Sequence, residues 1–293
     1  MRTKQLTRLV LAILALLLAM VPAASAQDDT TPEQSGPSVA QVHRVDATGG
    51  QVEATVLLDD YRVSADQVSI NEDGADLGVT SVRRATEAGR NIEISFVVDT
   101  SQRLATGDVL GIVRDTLATE IRALPAGTKV SVVAAGDTAV VVVQPTTDLE
   151  RAATDVQNLK LSQGSGIFNA IDRAGALLTV EPGWIRTIVV FSGGADLGST
   201  ISAETARRPL IQDGAQLVAV RYAGGEAALS SIIDRAGGAS LGAATPAEVG
   251  QAMADAIAVA GDRLLVTYPG ATSQSVRGDA LMTIGSAQTA YSY

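Results

Sequence analysis

Apolar β segments alternate with helical segments between residues 91 and 260. Residues 92–98 (IEISFVV) form a largely apolar run, and 187–191 and 217–222 are similar. Strands without a polar face are typical of parallel sheets covered by helices on both sides. Helical patterns separate these runs, at 109–124, 148–159, 167–178, 203–212, 227–236 and 246–260. The alternation predicts a doubly wound, mostly parallel α/β sheet.

Local signals mark particular boundaries within this alternation. The last helix has the clearest start, because Thr245 is a predicted N-cap, Pro246 takes the first helical position and Glu248 completes a capping box. The glycine pair ending at Gly238 is expected to close the helix before it. Pro209 lies inside another helical segment and predicts a break or a kink there.

Short β segments flank the alternation on both sides. Four precede it and three follow it, at 39–45, 51–58, 67–71, 78–83, 264–268, 281–284 and 289–293. Neither group has enough strands to bury a sheet alone, so we expect residues near 39–85 to pair with residues near 264–284. The chain is therefore expected to contain an α/β domain at 90–261, inserted in a small, discontinuous all-β sandwich domain made of 38–89 and 262–293.

The first 26 residues have the pattern of an export signal. Arg2, Lys4 and Arg8 precede an apolar run at 9–21, and Ala24-Ser25-Ala26 fits a cleavage site with small residues. The run is shorter than the roughly 20 residues of a membrane-spanning helix, and no later segment approaches that length. We therefore expect a cleaved signal peptide at 1–26 and a disordered linker at 27–37. The mature protein is expected to be secreted or held in the extracytoplasmic cell envelope.

Composition excludes several classes of function. Asp and Glu outnumber Lys and Arg by 32 to 22, and the net charge of −10 disfavours nucleic-acid binding. Cysteine is absent and His43 is the single histidine, so zinc sites built from these residues and histidine-dependent triads are not expected. A hydrolase would need a nucleophile with a base, and the sequence offers no such pair. We therefore expect a protein that is not an enzyme.

Polar residues cluster in three loops of the alternation. These are Asp99-Thr100-Ser101-Gln102-Arg103 after the first strand, Gly164-Ser165-Gly166 before a helix, and Ser192-Gly193-Gly194-Ala195-Asp196 after a later strand. In open α/β sheets, ligands bind beyond the carboxyl ends of the strands. We therefore expect a ligand-binding crevice that contains six residues, namely Asp99, Ser101, Arg103, Ser165, Gly193 and Asp196.

The three loops resemble the signature motifs of the von Willebrand factor A (VWA) domain family, over roughly residues 91–260. ISFVVDTSQR is similar to the family's D-x-S-x-S motif, with Arg103 in place of the second serine. QGSGIFNAIDRA is similar to its glycine-threonine loop and helix, with Ser165 at the threonine position. IVVFSGGADLGST is similar to its strand ending in [ST]-D-G, with Gly193 at the aspartate position. The resemblance implies a Rossmann-like VWA fold.

The resemblance also implies a metal-ion-dependent adhesion site (MIDAS), in which carboxylates and hydroxyls hold Mg²⁺ and a protein ligand adds a carboxylate. Asp99, Ser101 and Ser165 are the metal ligands that it implies here. Because only one carboxylate remains, the expected state is a degenerate site without a cofactor, and Mg²⁺ is the alternative. Arg103 is hypothesised to pair with Asp99 and balance its charge in place of the ion. In a second interpretation, Asp99 and Ser101 only hydrogen-bond the ends of their loop.

The export signal and the resemblance together predict an exported, non-enzymatic module of VWA type for adhesion or protein binding. The expected partner is a protein and not nucleic acid, and no transmembrane helix is expected in the mature chain. The alternative hypothesis is a structural scaffold in a bacterial cell-envelope or secretion assembly.

Overall fold

A computed structural model describes residues 40–58, 63–179, 181, 183–261, 263–270 and 279–292. The expected signal peptide and linker lie outside these residues, and so does the side chain of His43. The strands are β1 (Ala40–Thr48), β2 (Gln51–Leu58), β3 (Val68–Glu72), β4 (Ala75–Leu77), β5 (Ser81–Arg84), β6 (Asn91–Asp99), β7 (Lys129–Ala135), β8 (Ala139–Thr146), β9 (Trp184–Ser192), β10 (Gln216–Tyr222), β11 (Gly238–Ala243), β12 (Leu264–Pro269), β13 (Asp279–Ile284) and β14 (Ala287–Ser292). The α-helices are α1 (Val109–Ala123), α2 (Leu149–Asp155), α3 (Ile167–Gly175), α4 (Ala203–Asp213), α5 (Leu229–Ala236) and α6 (Pro246–Gly261). Within these ranges, no helix is long and apolar enough to cross a membrane.

The central sheet has six strands in the order β11-β10-β9-β6-β7-β8. All neighbouring strands are parallel except β8, which pairs antiparallel with β7. Side chains of β6 are buried on both faces, because Phe96 and Val98 share a core with α1 and α6, whereas Val97 shares one with α3 and α4. This two-sided burial explains the apolar sequence of β6. It also confirms the predicted doubly wound α/β class.

Strands from both ends of the chain form two further antiparallel sheets, in the orders β1-β2-β12-β5 and β14-β13-β3-β4. β12 lies between β2 and β5, and β13 lies between β3 and β14. Apolar side chains of the two sheets, among them Val56, Ile70 and Met282, are buried in one shared core. The expected pairing of residues near 39–85 with residues near 264–284 is therefore confirmed.

A buried arginine lies where the chain passes from the central α/β part into β12. Arg263 is fully buried. Its Nε donates to Gln216 Oε1 at 2.8 Å, its Nη2 donates to Thr187 Oγ1 at 2.6 Å, and its Nη1 donates to the Val259 carbonyl. All three acceptors belong to the α/β part, so this side chain fixes the start of β12 to the central sheet.

Of the break or kink predicted at Pro209, the break is wrong, because α4 continues through this residue. A proline inside a helix removes one backbone hydrogen bond and needs space for its ring. Gly175 of α3 provides that space, since a Cβ at Gly175 would lie only 2.9 Å from Pro209 Cβ. The close contact of α3 with α4 thus accommodates the proline.

Other boundaries also differ from the expectations. The segment 148–159 is not one helix, because α2 ends at Asp155 and a 3₁₀ turn follows at Val156–Asn158. The segment 167–178 is helical only to Gly175. The glycines after α5 lead into β11, an edge strand that the sequence pattern did not reveal. Its hydrophobic signal is weak because only Gly238 and Ala243 are buried in this strand.

Candidate functional site

Asp99 is the last residue of β6 and lies fully buried at the carboxyl end of the central sheet. Its Oδ1 accepts the Ser101 N–H at 2.9 Å, and its Oδ2 accepts the Gly193 N–H at 3.0 Å. The first bond closes a turn within the first loop, and the second joins that loop to the loop after β9. Because two backbone N–H groups face the carboxylate, it is hydrogen-bonded without a cationic side chain.

Ser162 joins the first loop to the segment before α3. Its N–H donates to the Thr100 carbonyl at 2.7 Å, and the hydroxyls of the two residues are 3.0 Å apart. Gly166 donates its N–H to the Gly136 carbonyl at 3.0 Å, so the turn after β7 also contacts this segment. A Cβ at Gly136 would lie 2.6 Å from Ser162 Oγ, so the close approach requires glycine there. The polar loops are therefore held together directly by hydrogen bonds.

Ser165 lies just before α3 and is buried. Its carbonyl accepts the N–H groups of Leu197 and Gly198, both at 3.0 Å, which joins the second loop to the third. Its hydroxyl has no hydrogen-bond partner among the described residues. A buried polar group without a partner costs about 1–3 kcal/mol, so the Ser165 hydroxyl is a hydrogen-bonding group that a ligand could use.

Arg103 does not pair with Asp99, so the hypothesis of a direct ion pair is wrong. The Arg103 Nε donates to Ser101 Oγ at 3.3 Å, and its Nη2 donates to the Ala195 carbonyl at 2.9 Å. The side chain is exposed, whereas Asp99 is buried and its oxygens face backbone N–H groups. The guanidinium therefore bridges the first and third loops at the mouth of the crevice.

The two glycines of the third loop make room for side chains of the first loop. A Cβ at Gly193 would collide with Leu104 Cδ2 and would lie 3.3 Å from Leu104 Cγ. A Cβ at Gly194 would lie 2.6 Å from Arg103 Cζ. Leu104 is fully buried and cannot move away freely. The aspartate that the family carries at the position of Gly193 is therefore incompatible with the packing of Leu104.

The Asp196 carboxylate accepts hydrogen bonds at the start of α3 and in the turn that follows Asp196. Its Oδ2 accepts the Phe168 N–H at 2.9 Å and the Ser199 hydroxyl at 2.6 Å. Its Oδ1 accepts the N–H groups of Gly198 and Ser199 at 3.1 and 2.8 Å. The carboxylate thus caps a helix N-terminus and shapes the 196–199 turn. It does not supply a second carboxylate to the crevice.

The remaining donor set does not fit a resident Mg²⁺. It consists of one carboxylate, that of Asp99, and the hydroxyls of Ser101 and Ser165. Ser101 Oγ already accepts a hydrogen bond from the Arg103 cation, which would also repel a metal ion. Mg²⁺ requires near-octahedral oxygen ligands, and this set meets that demand poorly. The unpaired Ser165 hydroxyl is the feature that agrees best with the site of the family.

Leu197 is a residue of the crevice rim that the sequence pattern did not reveal. Its side chain is 80% exposed, more than any other large apolar side chain in the described ranges. Its backbone is fixed by the bond to the Ser165 carbonyl. Hydrophobic periodicity identifies helix and strand faces, so it gives no signal for one leucine in a loop.

Comparisons with known proteins agree with the fold. A family model described as the von Willebrand factor type A domain matches residues 94–195. The von Willebrand factor type A structure from Catenulispora acidiphila has a TM-score of 0.53 and 12% identity, and the match covers 88% of this chain and 72% of that chain. No curated protein matches the sequence.

A second similar structure is proximal thread matrix protein 1 from the mussel byssus, in a form with a zinc-occupied MIDAS motif. The TM-score is 0.53 with 15% identity, and the match covers 62% of this chain and 49% of that chain. This chain therefore spans about half the length of the mussel protein, and the likeness concerns the fold alone. The family match runs from β6 to the loop after β9 and so includes most of the residues that build the crevice. We conclude that the chain contains a von Willebrand factor type A domain.

Proposed function

We propose that this protein is an exported, non-enzymatic module that binds a protein ligand through the crevice at the carboxyl end of the central sheet. Domains of this type are generally interaction modules. The amino-terminal leader supports export to the cell envelope or the medium. Asp99 accepts the Ser101 N–H, and among the described residues no base is hydrogen-bonded to the hydroxyl of Ser101 or Ser165, which supports a binding role.

The main support for this proposal is that the Leu197 side chain is exposed while its backbone is held by hydrogen bonds. The N–H groups of Leu197 and Gly198 both donate to the Ser165 carbonyl, and Asp196 accepts from the residues that follow. An apolar side chain on an ordered loop loses less conformational entropy on binding than one on a mobile loop. Burial of a leucine side chain contributes about 1.5–3 kcal/mol. Leu197 therefore has the exposure and the rigidity of an anchor for a protein partner.

The same geometry supports binding without a resident metal. Arg103 already occupies the mouth beside Ser101, and Leu104 fills the space that a third-loop aspartate would need. The crevice therefore offers a partner a fixed cation and an exposed leucine. The site is, in this proposal, a degenerate and metal-poor relative of the MIDAS.

The test compares the mature protein, residues 27–293, with Leu197→Ser and with the matched control Ile211→Ser. Ile211 is 50% exposed on α4, which makes it a second exposed aliphatic side chain far from the loop. Each protein is immobilised in EDTA and exposed to envelope and secreted proteins of the cells that produce it. We expect a protein that wild type and Ile211→Ser retain and that Leu197→Ser binds about tenfold more weakly, or worse.

Two results would contradict the proposal. One is a partner that all three proteins retain equally, which would favour the scaffold role. The other is a partner that wild type retains only after Mg²⁺ is added, since the proposed crevice works without metal.

A further inference from the structure

We propose that Arg103 is the receptor for one carboxylate of the partner, so that the partner presents an acidic side chain beside an apolar one. The inference rests on the proposed function and names the chemistry that the same crevice recognises. The apolar group would contact Leu197, and the acidic group would contact the guanidinium.

The guanidinium of Arg103 is already held in place before any ligand binds. Its Nε and Nη2 each donate one hydrogen bond, to Ser101 Oγ and to the Ala195 carbonyl. It also lies against the backbone of Gly194, where a Cβ would come within 3.0 Å of its Nε. A guanidinium has five N–H groups, so three remain for a ligand. A cation fixed in this way loses little side-chain entropy when an anion binds.

Carboxylates at this end of the sheet do not compete for this cation. Asp99, Asp196 and Glu226 all accept hydrogen bonds from backbone N–H groups instead. Among the described residues, no acidic side chain forms an ion pair with Arg103. The cation at the mouth is therefore without a counter-charge, on a chain whose net charge is −10.

The charge around Arg103 favours a carboxylate over a dianionic phosphate. A single guanidinium balances one negative charge, and its parallel N–H groups match the two oxygens of a carboxylate. Asp99 and Asp196 lie in the first and third loops, and Glu226 follows β10 at the same end of the sheet. A second negative charge on the ligand would therefore be repelled. The geometry thus points to an aspartate or glutamate side chain of the partner.

The probe is sodium acetate, compared with sodium chloride and sodium phosphate at equal ionic strength in EDTA. The reporters are the Arg103 Nε–Hε signal and the Gly194 amide signal in ¹H–¹⁵N spectra of the mature protein. We expect saturable shifts with acetate that exceed those with either other salt. We expect acetate to bind Arg103→Gln at least about tenfold more weakly than wild type. Arg103→Lys should bind acetate with an intermediate affinity, because the lysine ammonium lacks the planar guanidinium with its parallel N–H groups. The control Arg208→Gln removes an exposed arginine of α4 and should bind as wild type does.

Equal shifts in wild type and Arg103→Gln at the Gly194 amide would overturn the inference, because they would show an unspecific ionic effect. Absence of saturable shifts, or a larger effect with phosphate than with acetate, would overturn it as well. The acetate titration needs no protein partner and leaves Leu197 untouched. Its failure is therefore distinguishable from failure of the partner experiment.

Discussion

Gly193 lies between the Asp99 carboxylate and the Leu104 side chain. Gly193→Ala is expected to destabilise the protein by about 1–3 kcal/mol, because the added methyl group overpacks a buried leucine. Urea unfolding followed by circular dichroism measures the change. Gly194→Ala is the matched control, because its Cβ would displace only the end of the exposed Arg103 side chain and no buried group, and we expect a loss below about 1 kcal/mol.

A double-mutant cycle with Leu104→Ala checks the cause. If Leu104 is the obstacle, the cost of Gly193→Ala should be smaller in the Leu104→Ala background, with a coupling of about 0.5–3 kcal/mol. Equal costs in both backgrounds would show that Leu104 does not exclude a side chain at this position.

Tyr291 of β14 gives the all-β part a response to alkaline pH. The pKa of the Tyr291 hydroxyl is raised from 10.0 to about 12, because burial and the negative charge of Glu72 outweigh the opposing effect of the hydrogen bond with Tyr268. The folded state therefore holds this proton more tightly than the unfolded state. The resulting stability is fully present below pH 10 and is lost as pH rises from 10 to about 12.

Allowing for partial exposure, this alkaline loss amounts to about 1–2 kcal/mol. Tyr291→Phe should make the unfolding free energy less dependent on pH between 10 and 12. Urea unfolding at several pH values in that range measures the slope for wild type and variant. Identical slopes would contradict the assignment to Tyr291.

At the residue scale, sequence motifs identified Asp99, Ser101 and Ser165 because they resemble a family pattern of residue types and spacing. The orientation of Arg103 depends on the Ala195 carbonyl, which lies 92 positions away in the chain. Such a contact follows from the tertiary structure, and no local pattern encodes it. The packing of Leu104 against Gly193 also joins distant parts of the chain, so it was not predicted from the sequence.

Helix α6 shows how local chemistry sets the start of an element. The Glu248 carboxylate accepts the Ala244 N–H at 2.8 Å and the Thr245 hydroxyl at 3.0 Å. These bonds differ from the expected capping box, since the Thr245 hydroxyl donates to Glu248 instead of accepting a backbone N–H. The hydrogen bonds from Ala244 and Thr245 lower the pKa of Glu248 below its ordinary 4.5.

This cap should weaken in acid. Because the folded pKa of Glu248 is depressed, its contribution is present above pH 4.5 and is lost as pH falls through the lower folded value. Glu248→Ala should therefore show less change in unfolding free energy than wild type over this acidic range. Glu87→Ala is the control, since Glu87 is another exposed glutamate. A wild-type-like acid profile in Glu248→Ala would contradict the assignment.

Elements with strong periodicity were predictable, whereas those fixed by distant partners were not. β6 and α6 carry their pattern within their own sequence, as an apolar strand and a capped amphipathic helix. β11 forms because the backbone of β10, from Leu217 onward, hydrogen-bonds with it at the edge of the sheet. The continuity of α4 through Pro209 likewise depends on Gly175 of another helix.

At the scale of the whole molecule, the all-β part depends on strands from both ends of the chain. A fragment of residues 38–89 lacks β12, so β2 and β5 would have no strand between them. It also lacks β13, the partner of β3. We expect this fragment to remain unfolded and residues 90–261 to fold, as judged by cooperative urea transitions. A cooperative transition in the 38–89 fragment would contradict this account.

We propose that the crevice binds its ligand without a resident divalent ion, since Arg103 bridges its mouth and Leu104 blocks a second carboxylate. Thermal unfolding of the mature protein in EDTA and in MgCl₂ up to about 10 mM tests this, with MnCl₂ as a second ion. We expect the same melting temperature in all three solutions. A resident site would add about 2.7 kcal/mol at a hundredfold excess of metal over its dissociation constant. A saturable rise in melting temperature with Mg²⁺ that Asp99→Asn abolishes would contradict this proposal, because it would show that a metal ion binds at Asp99.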